Sequence, residues 1–207
     1  MSQQSNPRAI LIGIVGEIGS GKTTVAEYLI EKYKFNEYHF ASPLKQIALA
    51  MGFTQTQVYG NQEQKLEKNE HWGISAREFL QKIGTDFGRN ILPDMIPNMN
   101  MGDSGSPWIR LFEIQWNKIC KENEYPTLIV SDCRFPNEVD SIKERGGYII
   151  KISRPAEPRE GAEHKHTSET GISSLYHDVF IVNDDTKEQL FERIEYVMMK
   201  LFLKKSI

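Results

Sequence analysis

From Ala9 to Val15 the chain reads AILIGIV, and GEIGSGKT follows at once, from Gly16 to Thr23. An Ile- and Val-rich run with no polar alternation suits a strand buried on both faces of a parallel sheet. Helical spacing begins after Gly21, where Val25, Leu29 and Tyr33 recur one turn apart. A buried strand, a glycine-rich turn and a helix, in that order, point to an α/β chain with a parallel sheet. The eight residues also match the Walker A pattern. Gly16, Gly19 and Gly21 let the backbone curl so that successive N–H groups face one centre, and the helix N-terminus adds partial positive charge. Such a loop suits the phosphates of a nucleotide such as ATP. Lys22 can reach the outer phosphates, Thr23 is placed to ligate Mg2+, and Thr24 opens the helix beside them. The alternative is a glycine-rich turn that binds nothing; the flanking strand and helix weigh against it.

The remaining chain continues the alternation. Tyr38 to Phe40, Thr127 to Ser131, Tyr148 to Ser153 and Asp178 to Val182 read as further strands, giving a parallel sheet of about five with helices on both faces. Ser42 with Pro43 marks a helix start. Ser75 and Glu78 form a capping box ahead of a stripe at Phe79, Ile83 and Phe87. Leu92 to Pro107, with three prolines and two glycines, reads as a surface loop before a helix from about Trp108 to Glu122. A helix over about Asn137 to Arg145 and a Gly-Gly turn precede the strand at Tyr148. Arg154 to Gly171 lacks any apolar period and reads as an exposed excursion, a candidate lid. Thr186 and Gln189 form a second capping box ahead of Leu190, Ile194, Val197, Met198 and Leu201, a stripe suited to packing on the sheet.

Composition narrows the class. The 207 residues suffice for one sizeable core, so a single domain over 1–207 is expected, with 39% hydrophobic and 26% charged residues as in ordinary globular chains. A net charge of −3 gives no broad attraction to nucleic acid or to anionic membrane. No apolar stretch is long enough to span a membrane. Cys120 and Cys133 lack companions at metal spacing, so reduced thiols in a cytoplasmic protein are expected.

A phosphate loop does not by itself separate kinases, GTPases and ATPase motors. VNDDT, from Val182 to Thr186, stands where a GTPase would carry its guanine-reading Asn-Lys-x-Asp, and Asp132 is followed by Cys133 rather than by a hydrolytic Glu. What the chain does carry is a set of cations at loops and helix ends: Lys45, Arg77, Arg89, Arg134, Arg154 and Arg159. An acceptor that is itself a phosphate ester needs such a set, because two anions must be brought together. Any one of these arginines taken alone reads equally well as a solvated surface residue.

FASPLK (Phe40 to Lys45), REFLQKIGTDFGR (Arg77 to Arg89), SDCRFPNE (Ser131 to Glu138) and HTSE (His166 to Glu169) resemble the successive motifs of the deoxynucleoside monophosphate kinases of bacteriophages and large DNA viruses. The resemblance implies a three-layer P-loop NTPase fold, with an acceptor-binding region over about 41–125 and a lid over about 154–171. It implies transfer of the γ-phosphate of ATP to a deoxynucleoside 5′-monophosphate. Carried over by position, it puts Lys45, Arg77 and Arg89, and also His166, Ser168 and Glu169, at the acceptor. Asp132 takes the Walker B place and holds Mg2+ through water. Arg134 faces the phosphates, or else pairs with Glu138. Arg154 and Arg159 fall where lid arginines stand, and Asn183 where the adenine of ATP is approached. A P-loop kinase for another small acceptor, such as dephospho-coenzyme A, and an ATP-dependent regulatory or assembly protein remain alternatives. Whether the chain dimerises is left open.

Overall fold

The structure is a computed structural model and describes residues 9–102, 104–155 and 171–205. Strands β1 (Ile10–Val15), β2 (Asn36–Tyr38), β3 (Thr127–Cys133), β4 (Tyr148–Ser153) and β5 (Val179–Val182) form one sheet in the order β2-β3-β1-β4-β5. Every pairing is parallel. The central strand β1 is buried throughout, which is why its sequence is continuously apolar.

Its even-numbered residues Ile10, Ile12 and Ile14 face a core shared with Ile129, Ile150 and Ile152. Two helices close that face. Helix α1 (Lys22–Tyr33) contributes Val25, Ala26 and Leu29, and the last helix, Lys187–Lys205, contributes Leu190, Ile194, Val197, Met198 and Leu201. All five residues of that last stripe are buried, and Thr186 Oγ1 accepts from the Gln189 N–H at 3.3 Å, as its capping pattern predicts. On the opposite face a Cβ on Gly13 would fall 2.7 Å from the Cδ1 atoms of Ile142 and Ile149. Glycine there lets the helix carrying Ile142, Pro136–Glu144, lie close against the sheet.

The chain divides into two compact units, Met1–His39 with Glu113–Ile207, and Phe40–Phe112. The sheet belongs to the first. The second unit holds α2 (Ser42–Ala50), α3 (Gln55–Tyr59), α4 (Gln62–Leu66), α5 (Ala76–Gln81), a π-helix (Lys82–Ile91) and α6 (Leu92–Met95), and also the start of α7 (Pro107–Glu122). Ala48, Phe53, Val58 and Ala76 are its buried centre, with the Phe53 and Phe79 rings 5.0 Å apart. The two remaining long helices of the first unit are α8 (Pro136–Glu144) and α9 (Lys187–Lys205).

Three local expectations are corrected. The second strand covers Asn36–Tyr38 rather than residues 38–40, because Phe40 leaves the sheet and packs its ring against Phe112, 5.4 Å away in the second unit. Helix α2 is capped at Ala41, so Ser42 is already helical and makes no side-chain cap there. The regular stripe Phe79, Ile83, Phe87 is broken: after Gln81 the backbone widens into the π-helix, Phe87 is 37% exposed, and the buried positions are Gly84 and Gly88. Trp108 supplies the cause. Its Nε1 donates to Gly84 O at 2.8 Å, and its indole lies where a Cβ on Gly88 would be. A donor inserted into the helical ladder is a known source of such bulges.

Candidate functional site

The C-terminal edge of the sheet carries the first group of residues. β1 runs straight into the loop Gly16–Thr23, which crosses the end of β4: a Cβ on Gly16 would collide with Ile152 O and lie 2.7 Å from Ser20 Oγ. Gly21 has φ 105°, and a Cβ there would meet Asn183 Nδ2 at 2.5 Å. Glycine is thus required at both ends of the curl by close approach. Lys22 Nζ donates to Gly16 O and Glu17 O, each at 2.7 Å, so its ammonium is held across the mouth of the loop. Helix α1 starts at Gly21 with no side-chain cap and no acidic residue in its first turn. Its leading N–H groups lack intrahelical acceptors, and its dipole favours an anion. Thr23 is exposed and Thr24 half-buried at that end.

Asn183 sits beneath the phosphate loop. It is 4% exposed; its carboxamide donates to Ser20 O at 2.9 Å, and its own N–H donates to Ser153 O at 2.7 Å. The side chain therefore braces the phosphate loop from below. Arg154 stands next to the same junction, exposed, with Nε donating to Asn183 O at 3.4 Å.

Asp132 is set by a bulge. Gly13 pairs with Val130 but Val15 with Cys133, so β3 carries one extra residue where it reaches the end of β1. The extra residue turns the half-buried Asp132 out at the edge from which the loop springs. Two neighbours feel its charge. Burial, then Asp132 and Glu138, push the Tyr38 phenol up; burial, then Glu138 and Asp132, push the Cys133 thiol well above its usual range. Both groups stay neutral. Glu138 is 2% exposed, and its Oε2 accepts the N–H of Arg134 at 2.7 Å and of Phe135 at 3.2 Å, fixing the turn after Asp132.

A polar trio beside it has no signature in the sequence. Ser131 Oγ donates to Glu37 Oε1 at 2.9 Å and lies 2.9 Å from His39 Nδ1. Alternation in a strand puts Glu37 and His39 on one face, but only the β2–β3 register brings Ser131 to them.

The second unit carries the other cations. Lys45 on α2 lies 4.7 Å above the Tyr59 ring, Arg77 on α5 donates to Gln62 Oε1 at 3.1 Å, and Arg89 is half-buried in the π-helix. Leu44, next to Lys45, approaches Gly84 so closely that a Cβ there would be 2.9 Å from its Cδ1, which ties α2 to the helix bearing Arg89. Arg159, His166, Ser168 and Glu169 lie outside the described residues. Among the described residues, no group of three or more His, Cys, Asp or Glu is arranged to hold a metal ion, and no helix is long and apolar enough to cross a membrane.

A five-stranded parallel sheet whose central strand feeds a Walker A loop, with an acidic residue ending the adjacent strand, defines a P-loop nucleotide-binding protein of the α/β class. Comparison with known proteins narrows that class. The family model described as deoxynucleotide monophosphate kinase matches residues 10–75 and 50–194. A putative deoxynucleotide monophosphate kinase of Acanthamoeba polyphaga mimivirus is 37% identical over 188 residues, covering 89% of this chain and 94% of that protein. The deoxynucleoside-5′-monophosphate kinase of Escherichia phage T5 is 24% identical, over 84% of this chain and 90% of its own length. Among solved structures, a dephospho-CoA kinase from Campylobacter jejuni aligns with 94% of this chain and 96% of its own, at 15% identity and a TM-score of 0.49. The chain belongs to the deoxynucleotide monophosphate kinase family and is an enzyme of the phosphotransferase type.

Proposed function

We propose that this chain transfers the γ-phosphate of ATP to a deoxynucleoside 5′-monophosphate, giving the diphosphate and ADP, with Mg2+ as the accompanying ion. The observation that carries the donor assignment is the first turn of α1: no side chain caps it, and Lys22 is held across the loop in front of it. Gly16 and Gly21 leave backbone N–H groups free of side-chain bulk, which fits a row of phosphate oxygens. Gly19 and Thr24 complete that cradle. Thr23 and Asp132 are the oxygen donors suited to Mg2+, which takes one or two protein oxygens along with phosphate and water. When bound, the ion neutralises charge on the transferring group.

The chain's own residues do the rest. Lys22 neutralises phosphate charge at the loop, while Arg134 and Arg154 supply further positive charge to the transferring group. Lys45, Arg77 and Arg89 bind the phosphate of the acceptor. Because that phosphate is already an anion, the reaction needs no general base, only exclusion of water and in-line placement. Asn183 serves by shaping the loop. His166, Ser168 and Glu169 join the acceptor group, and Arg159 the lid, on the resemblance of their segment alone. A free nucleotide rather than a nucleic acid is the partner that a chain of net charge −3 suits. Two free cysteines suit a reducing compartment such as the cytoplasm.

The test is ADP formation from ATP against a panel of deoxy- and ribonucleoside monophosphates. One or more deoxynucleotides should stimulate ADP release with matching formation of the diphosphate. ADP release that ignores every acceptor would overturn the assignment.

A further inference from the structure

Strand β3 carries one residue more than β1 can match between two fixed points. Gly13 pairs with Val130 and Val15 with Cys133, so Ile14 alone stands against both Ser131 and Asp132. The flanking points are pinned. Cys133 is fully buried, with its Sγ 3.2 Å from where a Cβ on Gly13 would be, and Ile129 lies in the core shared with α1 and α9. Alternation leaves one further place for a side chain on the face of Ile129 before the strand reaches Cys133. Ser131 and Asp132 compete for that place, and whichever is excluded becomes the extra residue.

The neighbouring strand β2 decides between them. Glu37 pairs with Ile129 and so shares its face, and His39 follows on that face by alternation. Both meet Ser131. Its hydroxyl donates to Glu37 Oε1 at 2.9 Å, His39 Nδ1 lies 2.9 Å from the same hydroxyl, and His39 Nε2 is 3.3 Å from Glu37 Oε1. A hydroxyl is donor and acceptor at once, so it suits a carboxylate and an imidazole together. Asp132 in the same place would set its carboxylate against that of Glu37, and like charges facing one another across strands are unfavourable. With Ser131 held, Asp132 is left as the extra residue. Its charge is felt at Tyr38, which faces the other side of β2: burial, then Asp132, push that phenol up.

We propose that Ser131, Glu37 and His39 are positioning residues that fix which residue of β3 bulges, and thereby hold the Asp132 carboxylate at the edge where the phosphate loop begins. The proposal rests on the reading of Asp132 as a ligand of Mg2+. The three act through Asp132 and need touch neither the nucleotide nor the ion. Loss of the trio frees the bulge to slip by one residue, which swings the carboxylate toward β2.

The test uses Ser131→Ala, His39→Ala and His39→Asn in the full chain, with Asp132→Asn as the reference. Calorimetry gives the affinity for a non-hydrolysable ATP analogue with and without Mg2+, and kinetics give the Mg2+ concentration for half-maximal rate. Ser131→Ala and His39→Ala should each cut the gain in analogue affinity due to Mg2+ by about tenfold and raise the half-maximal Mg2+ concentration by a similar factor, the scale of losing a group that orients a ligand. The metal-free affinity and the Michaelis constant for the monophosphate should change little. His39→Asn keeps a polar atom in the place of Nδ1 and should recover most of the loss. Glu37 is exposed and His39 half-buried, so water replaces the lost contacts and the melting temperature should hold. Normal Mg2+ dependence in Ser131→Ala, beside an Asp132→Asn that loses it, would overturn the inference and leave the Mg2+ assignment standing. If the wild type gains nothing from Mg2+, or Asp132→Asn keeps the gain, both fall. Equal losses toward metal, metal-free nucleotide and monophosphate, or a His39→Asn no better than His39→Ala, would reduce the trio to support of the strand and overturn the proposal as well.

Discussion

Three short helices of the second unit and helix α1 of the first begin in opposite ways. In the second unit, Thr54 and Gln57 close a reciprocal capping box on α3, with bonds of 3.2 and 3.1 Å, and Asn61 and Gln64 do the same on α4 at 2.9 Å each. Ser75 Oγ accepts from Glu78 N at 3.1 Å on α5. These helices run for five or six residues, too short to hold without help at their ends. Helix α1 in the first unit has twelve residues and no side-chain cap. It is held by Val25, Ala26 and Leu29, all at 0 or 1% exposure, so packing does the work that caps do elsewhere. An uncapped helix start that the core can sustain is free to take a ligand as its cap.

That contrast makes the two sets of N-termini separable by mutation. The largest effect should come from Lys22→Ala, which removes the charge in front of α1. Turnover should fall by about 10²- to 10³-fold, the scale of losing one preorganised donor, with the melting temperature nearly unchanged. Steady-state kinetics and a thermal scan check this, and near-normal turnover would break the link between an uncapped start and phosphate binding.

Asp132→Asn comes next. If Asp132 holds Mg2+ through water, its loss should raise the Mg2+ concentration needed for half-maximal rate by about 10- to 100-fold, with ATP binding in the absence of metal little altered. A Mg2+ titration of the rate, alongside metal-free nucleotide binding, reads this directly.

In the second unit Arg77→Ala and Arg89→Ala should each raise the Michaelis constant for the monophosphate by about tenfold or more, with that for ATP changed much less. Lysine at either position should rescue poorly if the contact is bidentate. Equal decline toward both substrates would make these arginines structural.

The smallest effect should be that of Thr54→Ala, which removes a cap that binds nothing but its own helix. Stability should drop by about 1 kcal/mol in denaturant titration, with kinetic constants unchanged. If activity falls instead, α3 has a part in the site and the contrast between the two units is weaker than their caps suggest.

Much of the first unit is legible in the amino-acid sequence. β1, the loop, α1 and the stripe of α9 are written in residues a few positions apart, where the periods of strand and helix and the glycine spacing act locally. Lys22, Thr23 and Asp132 stand out for the same reason, since each belongs to a short motif at a strand end. What stays hidden depends on partners far along the chain. The π-helix arises because Trp108 donates to Gly84, 24 residues away. Asn183 braces Ser20 across 163 residues, a contact that no local pattern announces. Ser131 meets Glu37 and His39 only through the β2–β3 register, and the bulge that aims Asp132 is a mismatch between β1 and β3. Local pattern determines which segments become strands, helices and phosphate loop, because those choices are made by neighbouring residues. Which side chains brace, bend or aim them was decided by tertiary packing, because register, bulge and indole insertion are properties of pairs of elements and are encoded in neither one alone.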